Sequence, residues 1–277
     1  MIKIDTHFHP NFTLFSDKLT EKRAKKIWNE VEKMGLDYLF VTEHAFKQPV
    51  RQYFLLKKYR PENIKTILIP WVEALTKEWI DIIVFSKNES IYSYKEIVTP
   101  KYFTLNELID FVNSKPDLYC IVTHPYNTSD TAVIWHYNKD ELKEFVKKSW
   151  FIEKHNACWY QAQMFFEKVW LDKLLTKLYK RFLYTWNVPE NNYFEDTVIM
   201  WWSDAHHPEY LWDYLLIKTD NKCFESIIDK KYKREFVFNK NRKNFLIYLL
   251  KNAITVSIEW IIKRFGLYKL YRENEKN

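Results

Sequence analysis

Five of the eight histidines stand in short clusters with carboxylates or with one another: Asp5-Thr6-His7-Phe8-His9, Glu43-His44, Thr123-His124-Pro125 and Ser203-Asp204-Ala205-His206, to which Glu73 adds an acid. Neutral imidazole and carboxylate oxygen are the donors that suit zinc, manganese and iron, and several carboxylates together let more than one cation share a site. In the His-Phe-His run both imidazoles fall on one side of an extended segment, because side chains alternate with period two. One strand end can therefore give two ligands to one metal. A lone histidine after a strand is more often a hydrogen-bonded polar residue than a ligand. Five such placements together argue for a metal centre.

These clusters need elements to bring them together. Runs rich in β-branched and aromatic residues recur at Ile2 to Asp5, Asp37 to Thr42, Thr66 to Val72, Trp79 to Phe85, Leu118 to Thr123, Trp150 to Lys154 and Thr197 to Ser203, which predicts seven strands. Helical stretches lie between several of them: Lys18 to Met34, closing on Gly35, then Thr104 to Asn113 and Lys139 to Lys148. This alternation predicts a parallel α/β barrel, whose strand ends converge on one face. Phe182 to Asp196 reads as a long loop or lid. A chain of 277 residues, 47% hydrophobic, suits one barrel with an appendage. Its two glycines, Gly35 and Gly266, exclude phosphate-cradling loops of the Walker and dinucleotide-binding kinds. Three cysteines without close spacing exclude a disulfide framework and a zinc knuckle, and with no secretory pattern at the N-terminus the expected setting is cytoplasmic.

The net charge of +7 is confined to one segment. From Cys223 onward thirteen Lys and Arg face six acids, so residues 1–222 balance. The reading is a barrel over 1–222 and a basic extension over 223–277. Within the extension, Asn244 to Lys263 is apolar but interrupted by Lys251, Asn252 and Glu259, which favours an amphipathic helix over a membrane span. Its apolar face must pack on the barrel, on a second subunit or on an anionic membrane surface, so peripheral membrane association stays open.

The clusters resemble the polymerase and histidinol phosphatase (PHP) metallohydrolases. Four motifs match in order: DTHFHP followed by Ser16-Asp17, VTEH at Val41 to His44, THP at Thr123 to Pro125, and SDAH at Ser203 to His206. The resemblance spans about residues 1 to 220. It implies a distorted seven-stranded (β/α)7 TIM-like barrel with two or three divalent ions, zinc, manganese or iron. It places His7, His9, Glu73 and Asp204 on a first metal, Glu73 and His124 on a second, and His44 and His206 on a third, with Asp17 assisting. Where the family often has a histidine after the bridging glutamate, this sequence offers Asp81, a donor that suits manganese or iron. Glu153, His155 and Asn156 end the sixth strand, and His155 is a candidate proton donor or phosphate contact.

The resulting expectation is a metal-dependent phosphoesterase in which Asp204, Glu73 and His155 carry the chemistry and a hydroxide held by metals attacks a small phosphomonoester. A charge-neutral body disfavours a nucleic-acid track. A phosphodiesterase or nuclease acting on nucleic acid or nucleotides is the second reading. A non-catalytic metal-binding scaffold associated with a membrane or protein partner is the third.

Overall fold

The computed structural model describes residues 1–12, 17–125, 131–156, 198–202, 205–208, 211, 214–229, 231–237 and 245–268. The strands are β1 (Ile2–Phe8), β2 (Tyr38–His44), β3 (Ile67–Leu75), β4 (Asp81–Phe85), β5 (Tyr119–Val122), β6 (Phe151–Asn156), β7 (Val198–Trp202), β8 (Tyr214–Ile217) and β9 (Arg234–Val237). The helices are α1 (Asp17–Met34), α2 (Pro49–Lys58), α3 (Leu105–Asn113), α4 (Lys139–Lys148), α5 (Phe224–Ile228) and α6 (Phe245–Phe265). The strands form one sheet in the order β7-β6-β5-β4-β3-β2-β1-β8-β9. The expected lid over Phe182 to Asp196 lies outside the described residues.

The α/β class is as expected, whereas the closed parallel barrel is not. The sheet is a mixed, curled half-barrel: β4 runs antiparallel to β3 and β5, and β8 runs antiparallel to β1 and β9. A single parallel bridge, Phe8 to Ala205, reaches from the end of β1 to the segment after β7. The reversal at β4 follows from chain length. Only five residues separate β3 from β4, and a parallel crossover needs roughly a dozen or more. Thr76 N donates to Ile80 O at 2.9 Å and closes the turn.

Period-two patterning gives the sheet an inner face that is apolar at one end and polar at the other. Tyr38 and Phe40 of β2, Ile69 and Trp71 of β3, and Ile83 and Phe85 of β4 share one buried cluster. Continuing those alternations brings His44, Glu73 and Asp81 onto the same inner face. Because β4 is reversed, Asp81 at its start lies beside Leu75 at the end of β3. On β1 the phase is set by a bulge. Ile2 and Ile4 belong to the inner cluster, while Phe8 belongs to the outer cluster under α1. A register shift between Asp5 and Phe8 inserts one residue and moves His7 and His9 inward.

Helices cover the outside. Ala24, Ile27, Trp28 and Val31 form the buried stripe of α1, and Gly35 ends it at φ 60° with its N–H on Val31 O at 3.0 Å. Capping boxes start α3 at Thr104–Glu107 and α4 at Asn138–Glu141. The helix expected in the basic extension is present as α6. Glu259, Ile262 and Lys263 are buried, whereas Ile247, Leu250, Ile254, Ile258, Ile261 and Phe265 are exposed. Among the described residues no helix is long and apolar enough to cross a membrane.

Candidate metal centre

Glu73 is the hub of the centre. Its Oε2 lies 2.8 Å from His44 Nδ1, 3.5 Å from His9 Nε2 and 3.7 Å from His7 Nε2, and its Oε1 lies 3.4 Å from His124 Nε2. His7, His9, His44 and Glu73 are all nearly inaccessible to solvent. The Nε2 atoms of His7 and His9 are 2.9 Å apart, as the His-x-His spacing predicts for two donors aimed at one point. Four imidazoles therefore converge on one carboxylate contributed by a neighbouring strand.

The sheet explains each placement. His44 ends β2 and Glu73 lies near the end of β3, and the two are direct register partners. His124 follows β5 at φ 28°, a positive φ that is uncommon outside glycine. Its N–H donates to the Glu153 carboxylate of β6. His206 follows β7, and its carbonyl accepts from Arg23 Nη2 at 2.8 Å and Asn11 Nδ2 at 3.2 Å. That grip stacks its ring on His9 with centroids 4.4 Å apart and planes 1° from parallel.

Among the described residues three groups of side chains hold donor atoms close enough to share a cation: His7, His9 and Glu73; His9, Glu43 and His44; and His44, Glu73 and Asp81. The donor chemistry fits zinc, manganese or iron. His44 Nδ1 and Glu73 Oε2 are close, yet neither atom has a hydrogen-bond partner. Such lone pairs, buried without donors, are what a cation between them would satisfy. Glu43 is different. Its Oε2 accepts from Asn11 N at 3.0 Å, its Oε1 accepts from His44 N at 3.2 Å, and Oε1 lies 3.3 Å from His9 Nδ1. It orients His9 through the nitrogen that points away from Glu73, the usual arrangement behind a metal-bound imidazole.

Electrostatics follow from burial among opposite charges. Burial would raise the Glu43 carboxyl, but Lys47, His9 and His44 outweigh it and hold it at about 2. Burial likewise opposes ionisation of Glu73, and the surrounding imidazoles hold it well below the usual carboxylate range. Burial lowers His124, but Glu73 and Glu153 bring it up to about 9.

The expected residues divide clearly. His7, His9, His44, Glu73 and His124 meet at one place, and Asp81 joins them through Glu73 and His44. His206 lies against His9. Asp17 opens α1 as an exposed residue and is in none of the three groups; its acidic side chain suits the start of a helix. Asp204 lies outside the described residues. His155 sits in β6 opposite Trp201, but its side chain is likewise not described. The sequence reading gave no part to Lys47, Glu259 or Lys263. Lys47 contacts Glu259 and lies 3.6 Å from Glu43. Glu259 is 3.3 Å from both His44 Nε2 and His206 Nδ1, and Lys263 Nζ is 2.6 Å from Asp81 Oδ2. The only sequence signal for this pair was charge at i and i+4 in an apolar run.

No family model and no curated protein matches this chain. Solved structures that resemble it in fold include the following two. PsfC from Pseudomonas syringae PB-5123 is 12% identical with a TM-score of 0.60, over 92% of this chain and 98% of that one. Endonuclease Q, solved with a 27-mer duplex substrate carrying an abasic lesion at the active site, is 15% identical with a TM-score of 0.55. That match covers 82% of this chain and 55% of Endonuclease Q, so this chain spans about half of that protein. The fold is thus one that a nuclease also uses, and the His/Glu clusters could hold a metal ion.

Proposed function

We propose that this chain hydrolyses phosphate esters at a metal centre of the PHP type, with a small phosphomonoester as substrate. The observation that carries the reading is the convergence of His7, His9, His44 and His124 on Glu73 in a buried site. These residues, with Asp204 by family resemblance, would hold the divalent ions. Bound there, the ions supply Lewis-acid polarisation of a phosphoryl oxygen and acidify a water. The protein's own part is to fix the ligands. Glu43 orients His9, Glu153 holds the backbone of His124, and Arg23 with Asn11 holds His206. His155 at the end of β6 is retained as the proton donor to the leaving group.

A monoester is preferred because the charge excess lies wholly in 223–277 and the rest of the chain is balanced, whereas a duplex needs a basic track. The likeness to Endonuclease Q supports a phosphodiester as the second reading. Hydrolysis of p-nitrophenyl phosphate, bis-p-nitrophenyl phosphate and an abasic duplex by the manganese- or zinc-loaded protein separates them. Faster turnover of the monoester is expected. Activity confined to the duplex would establish the nuclease reading, and a chain that binds metal but cleaves none of the three would point to a scaffold.

The outer face of α6 supports an anionic membrane surface as its partner. Ile247, Leu250, Ile254, Ile258, Ile261 and Phe265 recur at helical spacing and are exposed, and Lys251 and Arg264 on the same helix are exposed beside them. Apolar residues and cations together suit a lipid interface. Co-sedimentation with phosphatidylglycerol vesicles but not phosphatidylcholine vesicles is the expected result; a dimer in solution without vesicle binding would assign the stripe to a second copy.

A further inference from the structure

The helix α6 turns two of its charged residues, Glu259 and Lys263, inward. Over its last turns the buried side chains are Glu259, Ile262 and Lys263. Ile262 packs on Phe46, with Tyr268 beside them, and this small apolar contact sets the depth of the helix. Glu259 and Lys263, one turn apart on the same face, then project into the centre. Burying a carboxylate and an ammonium costs several kcal/mol each unless both are paired, so their position requires partners of matching chemistry.

Lys47 is one partner of Glu259, and the others are the candidate ligands. One Glu259 oxygen is 3.3 Å from His44 Nε2 and the other is 3.3 Å from His206 Nδ1, so the carboxylate spans the two histidines. Asp17, the residue expected to assist that pair, is exposed at the start of α1. Lys263 Nζ meets Asp81 Oδ2 at 2.6 Å, while Asp81 Oδ1 is buried without a hydrogen bond. Asp81 stands where the resemblance leads one to expect a neutral histidine. The departure is matched by a fixed positive charge, so a carboxylate–ammonium pair takes the place of an imidazole–metal pair.

Charge gives the same answer. Among the described residues Asp5, Glu43, Glu73, Asp81, Glu153 and Glu259 are six buried carboxylates, and Lys47 and Lys263 are two buried ammoniums. Three divalent ions would overcompensate this described deficit of four charges, and a lysine in one cation's place lowers the number required.

We propose that α6 is a wall of the metal centre: Glu259 ligates the cation held by His44 and His206, and the Lys263 ammonium occupies the place of a further cation beside Asp81. The inference rests on the metal-hydrolase reading, and it makes the C-terminal helix part of the site where the resemblance covers only about residues 1 to 220.

Metal content of the full-length protein tests it. Wild type, Glu259→Gln and Lys263→Ala are loaded with Mn²⁺, desalted and analysed by elemental analysis, with circular dichroism confirming that each is folded. Glu259→Gln should lose about one equivalent per chain and Lys263→Ala should gain about one, because Asp81 is freed to bind a cation. Lys263→Gln serves if the alanine variant does not fold, with the same expected gain. Loading with Co²⁺ adds a readout indifferent to mere packing: replacing a ligating carboxylate by an amide shifts the visible d–d absorption. Unchanged metal content and Co²⁺ spectra in folded variants overturn the inference while leaving the hydrolase reading intact. A wild-type protein that binds no cation overturns that reading and the inference with it.

Discussion

Glu73 illustrates how one residue gathers the site, because its two oxygens are shared among four imidazoles. Glu73→Gln keeps the shape but removes the charge, and an unneutralised cation loses several kcal/mol of binding. The expected outcome is a folded protein with at least one fewer metal and about a hundredfold less hydrolysis; normal metal content would show that the hub is merely structural. His124 makes cation affinity depend on pH. In the metal-free site it holds a proton up to about 9, and a bound metal must displace that proton. Affinity should therefore rise with pH until about 9 and then level off, and competition titrations from pH 7 to 10 measure the slope. Glu43 acts in the opposite range. Its folded-state pKa, at about 2, lies below its ordinary value, so its stabilisation is present above the ordinary carboxylate range and is lost as pH falls toward 2. At this scale the ligands were legible because imidazole and carboxylate are rare in apolar strand ends. Glu43 stood in the same motif, but its role depends on Asn11 and Lys47, whose approach no spacing announces.

Among the elements, β1 shows how local geometry decides chemistry. The bulge between Asp5 and Phe8 turns His7 and His9 toward the interior, and Asp5 Oδ1 accepts the N–H of His7 at 3.1 Å inside it. Asp5→Ala should cost about 1–3 kcal/mol by leaving that buried N–H unsatisfied, with weakened metal binding; urea unfolding and metal titration check the two effects together. Asn138→Ala provides the contrast. It removes the cap of α4 at a cost of about 1 kcal/mol, and metal content should not change. Strand positions were legible from composition, but strand direction at β4 was not drawn from it, although the five-residue connection allows only a reversal. The bulge is less visible still, since it appears only as a conflict between two alternation phases on one strand.

At the scale of the whole molecule, the basic extension contributes to the sheet, to the core and to the surroundings of the candidate metal centre. Its β9 pairs with β8, and Phe224 and Ile227 pack in the inner cluster with Ile2, Phe85 and Phe151. A chain ending at Lys222 should therefore aggregate or unfold without a sharp transition, because it exposes part of its interior. A chain ending at residue 244 keeps those contacts and removes α6; it should unfold cooperatively and lose vesicle binding. Thermal unfolding of the two truncations, followed by circular dichroism, distinguishes these outcomes. If both behave like the full chain, neither segment is structurally integrated.

The sequence by itself determined the donor chemistry, the α/β class, the first seven strands and the confinement of net charge to 223–277. These are properties of residue type and short-range periodicity, which the backbone's two side-chain spacings convert directly into faces. Tertiary structure alone decided that the sheet stays curled and mixed, that Asp17 is exposed, and that Glu259 and Lys263 reach His44 and Asp81 across about 180 to 215 positions of chain. Contacts at that separation depend on how packed elements meet, and an acid interrupting an apolar helix looks the same in sequence whether it faces water or a metal centre.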